Sequence, residues 1–489
     1  MIFLYMNVQL ILFVILLYFG ILISISYFTS RKTGDETFFT GDRKSAWFLV
    51  AFGMVGSALS GVTFVSLPGS VANNHLYFSQ FVMGNVVGYM FIAFVLTPLY
   101  YRLQLVSIYG YLKERFGKVS YKSGSLIFLV SQSFGAALRL MLATKILQLA
   151  FFDRIGIPFY LTVIIIIVFV WLYTFKSGIK TIVWTDTLQT FFLIISIVAI
   201  GIGISDTLDM SFSETAQQIY NHKYFDFFNW DTKSGNNFFK QFIAGFFVSV
   251  AMIGLDQNMM QKTLTCRNIW DAQKNMLTYS LVLAGTQILF LCLGVLLYIY
   301  AENMGIILEI DPKGLVLNTD NLFPNLALNY LGIVAGMCFL LGIIAASFSS
   351  IDSALTALTT SFTYDFLDMS KKTSQQKKRY KNLALFGFSI VIFCIIMIFS
   401  QSKGDVISLI FNIAGYTYGP LLGLFIFGMF TKMKIHDKWV WLVCIASPLL
   451  TYALSIYLKN HFKFDFGFVS IAVNGILTFF GLLLLHKRN

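Results

Sequence analysis

The sequence predicts an all-α, polytopic membrane protein of about 13 transmembrane helices, and three observations predict it. Hydrophobic residues make up 57% of the 489 and charged residues only 12%, about half the ~25% charge of a water-soluble domain. Mean hydropathy is +0.74, and apolar stretches of 18 or more residues, long enough to span a bilayer, recur from end to end. The basic residues concentrate in alternate connections, 25 against 8, as the positive-inside rule requires.

The predicted spans are 7–28, 46–70, 77–100, 123–151, 158–175, 181–205, 238–261, 276–301, 329–365, 383–400, 405–430, 438–458 and 464–485. The first lacks a positively charged leader and a small-residue cleavage site, so it reads as a retained span rather than a signal peptide. With the N-terminus outside, the inner connections carry 25 basic residues. These run from Arg31 and Lys32, through Lys262 and the run from Lys371 to Lys381, to Lys487 and Arg488. The outer side carries 8: Arg154, Lys223, Lys233, Lys240, Lys313, Lys403, Lys459 and Lys463. Arg139 and Lys145 lie inside spans. The net charge of +12 therefore reads as topology in the cytoplasmic (plasma) membrane and not as a nucleic-acid surface. The partner this placement implies is the lipid bilayer. No cysteine pair reads as a disulfide or metal clip.

Three spans are interrupted. The second contains GMVGSALSGVTFVSLPG, the seventh contains GFFVSVAMIGLDQ, and the eleventh contains FNIAGYTYGPLLG with Gly419–Pro420. A break at membrane depth frees backbone groups, which is tolerable only against protein or a cavity. The second and seventh spans each open a block of five helices, and an odd-numbered block returns from the opposite side. The expected organisation is a leading helix and loop (1–45), a first repeat (46–205), an inverted second repeat (238–430) and two trailing helices (438–489), with binding at the interface of the repeats. The two halves share no visible sequence similarity, and the plainer alternative is that Gly and Ser permit close helix packing.

Ionisable residues at membrane depth mark function by default, and here they are Arg139, Lys145, Asp186, Asp256 and Asp352. Ser349, Asp352 and Ser353 share a helical face at i, i+3, i+4, with Ser350 beside them. Hydroxyls with a carboxylate form an oxygen-only lining, which suits a hard cation and not Zn or Cu. The alternatives are a Ser-rich helix interface and, for Asp186, a residue favoured by the helix N-terminus. All five histidines fall in connections or at span ends. No acid–base pair, nucleophile arrangement or phosphate loop points to an enzyme, so the energy source is an ion gradient.

The stretches GSALSGVTFVSLPG, PLYYRLQLVSIYGYLKERFG, SGIKTIVWTDTLQT, LDQNMMQKTL, SSIDSALTALTTSFTYDF and GPLLGLFIFGMF resemble the sodium:solute symporter family over essentially the whole chain. The resemblance implies a LeuT-type core of five plus five inverted helices and sodium as coupling ion. It also implies a sodium site at the carbonyls of Gly56, Leu59 and Ala346 and the hydroxyls of Ser349 and Ser350. The sialic acid carriers of the family look to hold a second cation, which maps here to Asp186, Ser349, Asp352 and Ser353. Asp352 departs from their pattern, where a Ser stands.

For the solute, Ser60, Thr63 and Gln80 match polar contacts of the sialic acid carriers, and Arg139 falls at or within a turn of their arginine. Ser249 and Met252 stand where the sugar carriers have Asn and a gating Tyr. Leu255, Asp256 and Gln257 resemble the iodide, vitamin and monocarboxylate branch. The expected function is sodium-coupled import of a small polar organic solute, an organic anion or acidic sugar. A proton-coupled carrier or exchanger using Asp186 and Asp352, a channel, and a sensor on the same fold are the alternatives.

Overall fold

The computed structural model describes residues 8–30, 43–174, 178–232, 234–312, 314–369, 372–401, 406–462, 464 and 466–487. Of the basic residues counted above, Arg31, Lys32, Lys176, Lys233, Lys313, Lys371, Lys403, Lys463 and Arg488 lie outside them.

The membrane helices are α1 (Val8–Ser30), α2 (Trp47–Ala58), α3 (Gly61–Gly69), α4 (Phe78–Arg102), α5 (Lys118–Ala150), α6 (Phe159–Thr174), α7 (Gly178–Thr207) and α8 (Phe238–Gly254). They continue with α9 (Gln257–Thr263), α10 (Ile269–Asn303), α11 (Gly332–Leu367), α12 (Ser374–Phe399), α13 (Val406–Phe430), α14 (Val440–Phe462) and α15 (Ser470–Leu484). Among the described residues ten helices are long and apolar enough to cross a membrane, and the bent pairs α2/α3 and α8/α9 raise this to twelve. The remaining expected span corresponds to α6. Its 16 residues cover about 24 Å at 1.5 Å per residue, short of a ~30 Å hydrocarbon core.

Helix α7 packs against α2 and α11, α5 packs against α11 and α13, and α8 packs against α4. This places the two bent pairs and the Ser-rich stretch of α11 at the centre. The bends are 62° and 70°, and each restarts on a polar side chain. Ser60 accepts from the Thr63 amide at α3, and Asp256 accepts from the amides of Asn258 and Met259 at α9. These are N-caps, satisfying donors that a helix start leaves orphaned.

The expected break at Gly419–Pro420 is not there, because α13 runs through Pro420 without interruption. A Cβ on Gly419 would stand 2.4 Å from the Asn474 side chain. The small residues of this stretch admit α15 at close range, the packing role that the plainer reading gave them.

At the far end of α11, Asp365 gathers hydroxyls from three elements. It accepts from Ser107 (3.0 Å), Tyr121 (2.7 Å), Ser125 (2.6 Å) and Ser361 (2.6 Å). Asp365→Ala strands these buried donors, and an unsatisfied buried polar group costs about 1–3 kcal/mol. The variant should lower the thermal midpoint of the detergent-solubilised protein by several degrees, read by loss of the monomer peak after heating. An unchanged midpoint would contradict a structural role for the cluster.

Candidate functional site

At the α2/α3 break the chain turns away after Leu59, whose backbone is extended (φ −81°, ψ 96°). The amides of the next residues no longer reach the carbonyls of the preceding turn. Among the described residues, the carbonyls of the buried Gly56 and Leu59, like that of the half-buried Ala58 between them, receive no hydrogen bond. The α8/α9 break is different, because tyrosine hydroxyls cover its freed carbonyls: Tyr100 donates to Gly254 (2.9 Å) and Tyr109 to Leu255 (3.0 Å). Buried carbonyls are almost always paired, so the uncovered pair is the anomaly.

Helix α11 packs against both halves of the break. A Cβ on Gly56 would lie 2.4 Å from Thr190 Oγ1 and 3.2 Å from Ser349 Oγ, so only glycine lets α2 approach this closely. Ser350 Oγ lies 3.0 Å from the Ala346 carbonyl and 3.4 Å from that of Ser57. Gly56, Ala346, Ser349 and Ser350 therefore converge, with the buried Leu59 at the turn beside them. The result is a cluster of carbonyl and hydroxyl oxygens, and among the described residues no positive side chain donates to Gly56, Leu59, Ala346, Ser349 or Ser350.

Behind Ser349 lies Asp186, more than two turns into α7 and fully buried, so it is not the helix-start residue that the sequence allowed. Its carboxylate accepts from Ser57 (2.9 Å), Ser349 (2.8 Å) and Ser353 (3.1 Å). Ser353 Oγ is also 3.2 Å from Asp352 Oδ1, so a single hydroxyl joins the two expected carboxylates, well inside a ~10 Å screening length. Asp186, Asp352 and Ser353 thus lie together.

The cation among them is a side chain. Lys262, placed by sequence in an inner connection, sits on α9 with no exposed surface. Its Nζ is 2.6 Å from Asp186 Oδ2 and 2.8 Å from Ser353 Oγ, and it also donates to Ser57 Oγ. The predicted span ended at residue 261. The 70° bend instead swings α9 back across α7 and α11 and carries Lys262 inward.

A cavity of about 120 Å³ opens beside the two breaks. Ser60, Thr63, Arg139 and Asp256 line it, as do Ser249 and Met252. Asp256 is the N-cap of α9 and also accepts from Tyr418 OH at 2.5 Å. Arg139 lies within electrostatic range of both, with no ion pair within 4 Å among the described residues.

Two expected solute contacts are elsewhere. Gln80 does not line the cavity. Its amide holds the 224–237 connection, donating to Tyr77 and Asn236 carbonyls and accepting from the Asn229 amide, each at 3.0 Å. Gln257 likewise clamps another connection, donating to the Val106 carbonyl (2.8 Å) and accepting from the Ile108 amide (3.0 Å). A buried amide must be paired, and backbone satisfied these two. Sequence reasoning missed Asn85, Gln132, Asn258 and Gln287, which do line the cavity. Isolated amides in apolar runs were the available signal.

The sequence matches the sodium:solute symporter family over residues 38–436. The chain belongs to that family. It is a multi-pass, sodium-coupled symporter, with sodium its coupling ion. The symporter is 26% identical over 472 residues to the sodium/sialic acid symporter NanT of Aliivibrio fischeri, covering 94% of this chain and 91% of that one. It is 25% identical over 466 residues to SiaT of Proteus mirabilis, another sodium/sialic acid symporter, covering 92% and 91%. The human sodium/iodide cotransporter is 24% identical over 410 residues, or 81% of the symporter and 61% of that protein. Its fold is that of a solved Na+-coupled sialic acid symporter in a substrate-bound outward-open state, with a TM-score of 0.80, 20% identity and coverage of 98% and 99%.

Proposed function

We propose that the symporter imports a small hydroxylated organic carboxylate, an acidic sugar or a related anion, with sodium held at the α2 break. The observation that carries the sodium site is the uncovered carbonyl pair of Gly56 and Leu59 at a break where α2 closes on the Ser349 hydroxyl, next to Ser350 and Ala346. A monovalent cation would satisfy these oxygens without a proton donor.

The solute reading rests on the cavity next to that site. Arg139 supplies the positive charge, and Ser60 and Thr63 at the start of α3 supply hydroxyls. Among the described residues, the amides of Asn85, Asn258 and Gln287 each keep a buried oxygen without a hydrogen-bond partner, an acceptor set suited to solute hydroxyls. Such groups discriminate strongly, because a solute lacking the donor leaves them unpaired. The likeness to sialic acid symporters points the same way. In this reading the protein lies in the cytoplasmic membrane with the N-terminus outside. The bent pairs are the opening helices of two inverted repeats, 46–205 and 238–430, which rock about the site.

Thermal stabilisation of the purified protein tests the solute class. Ligand at a hundred times its Kd stabilises by about 2.7 kcal/mol. Acidic sugars should raise the midpoint in sodium and far less in choline, while neutral hexoses should not. A larger shift from neutral sugars would overturn the anionic assignment.

A further inference from the structure

We infer that the Lys262 ammonium is the resident cation of the second oxygen cage, so the symporter carries one sodium per solute and supplies the other positive charge itself. The inference rests on the sodium-site reading above and adds the ion stoichiometry.

The match between donor and cage is complete. An ammonium has three N–H donors and no acceptor, and Lys262 Nζ meets three oxygens: Asp186 Oδ2, Ser353 Oγ and Ser57 Oγ. Each hydroxyl passes its own proton onward, Ser57 to Asp186 and Ser353 to Asp186 or Asp352. The cage atoms come from α2, α7 and α11, the elements that a second metal cation would have to join, and the charge arrives from α9. Burying lysine and aspartate without exposed surface is costly unless they are paired and hydrogen-bonded, and this geometry meets both conditions. The same atoms cannot ligate a sodium ion while Nζ lies among them.

The placement also ties the lysine to the coupling site. Ser349 donates to Asp186, and Ser57 Oγ is 3.4 Å from Ser349 Oγ, so the ammonium sits one hydroxyl away from the main cation nest. Lys262 is also held by the bend that builds the solute cavity, because the Asp256 cap starts the helix that bears it. Lys262 is a positioning residue: a tethered charge that balances Asp186 in place of a second ion.

Equilibrium binding of ²²Na+ to the purified protein tests this without any solute. The parent should saturate at one sodium per chain. Lys262→Ala, which empties the cage while leaving Asp186, should saturate at two, with the Hill coefficient rising from about 1 towards about 2. Lys262→Arg should remain at one, and adding Asp186→Asn to Lys262→Ala should return the count to one. Two sodium ions on the parent would overturn the inference while leaving the main site standing. A folded Lys262→Ala variant that still binds one would overturn it as well, reducing the pair to a structural salt bridge. Should Lys262→Ala not fold, Lys262→Ser, which keeps a polar group in the cage, is read in the same way. No sodium on the parent would instead overturn the sodium-site reading itself.

Discussion

Ser350→Ala should raise the sodium concentration for half-maximal uptake about ten-fold, the equivalent of ~1.4 kcal/mol. The hydroxyl reaches the Ser57 carbonyl, between the uncovered carbonyls of Gly56 and Leu59, and is one of few oxygens proposed to hold the ion. The close approach of α2 to α7 and α11 leaves little room for water to replace it. Ser349→Ala should weaken sodium at least as much, because Ser349 also donates to Asp186. Solute affinity measured at fixed sodium should fall in step, since coupling between two bound ligands is reciprocal. The same loss of solute affinity with sodium affinity unchanged would remove both serines from the ion site.

Arg139→Gln should weaken solute binding about ten- to a hundred-fold, as expected for losing a charge-assisted hydrogen bond of ~1.5–3 kcal/mol. Sodium-dependent stabilisation in the absence of solute should persist. Arg139→Lys should recover only part of the affinity, because a point charge lacks the planar fork that fits a carboxylate. The contrasting outcome is a variant that unfolds in detergent whatever the solute. That would make Arg139 a structural partner of Asp256 and Tyr418 instead of a solute contact.

The architecture was readable because the bilayer imposes it. Unbroken apolar runs gave the long helices, and Gly-, Ser- and Asp-bearing interruptions gave the two bends. Pro420 misled because proline in a packed membrane helix can be accommodated by its neighbours, here with Asn474 against Gly419. The oxygen lining of α11 was readable from the spacing of Ser349, Asp352 and Ser353 on one helical face, while its grouping with Asp186 was what the family resemblance implied. The cation among them was not readable. The one-dimensional reading of a span assumes a straight helix, and a 70° bend returns Lys262 from the expected surface to the core. Gln80 and Gln257 show a second limit. A buried amide signals that something must be bonded, and only the fold says whether that is a solute or, as here, backbone of a connection. The uncovered carbonyls of Gly56 and Leu59 belong to the same class, because whether a tyrosine reaches a break is a tertiary fact.

The most direct test is solute accumulation in proteoliposomes bearing the purified symporter. With an inward sodium gradient and the pH equal on both sides, an acidic sugar should accumulate above its external concentration. Accumulation should collapse when the sodium gradient is dissipated, and Ser350→Ala should shift its sodium dependence. Accumulation driven equally well by a proton gradient without sodium would contradict the account and return Asp186 and Asp352 to a proton-carrying role.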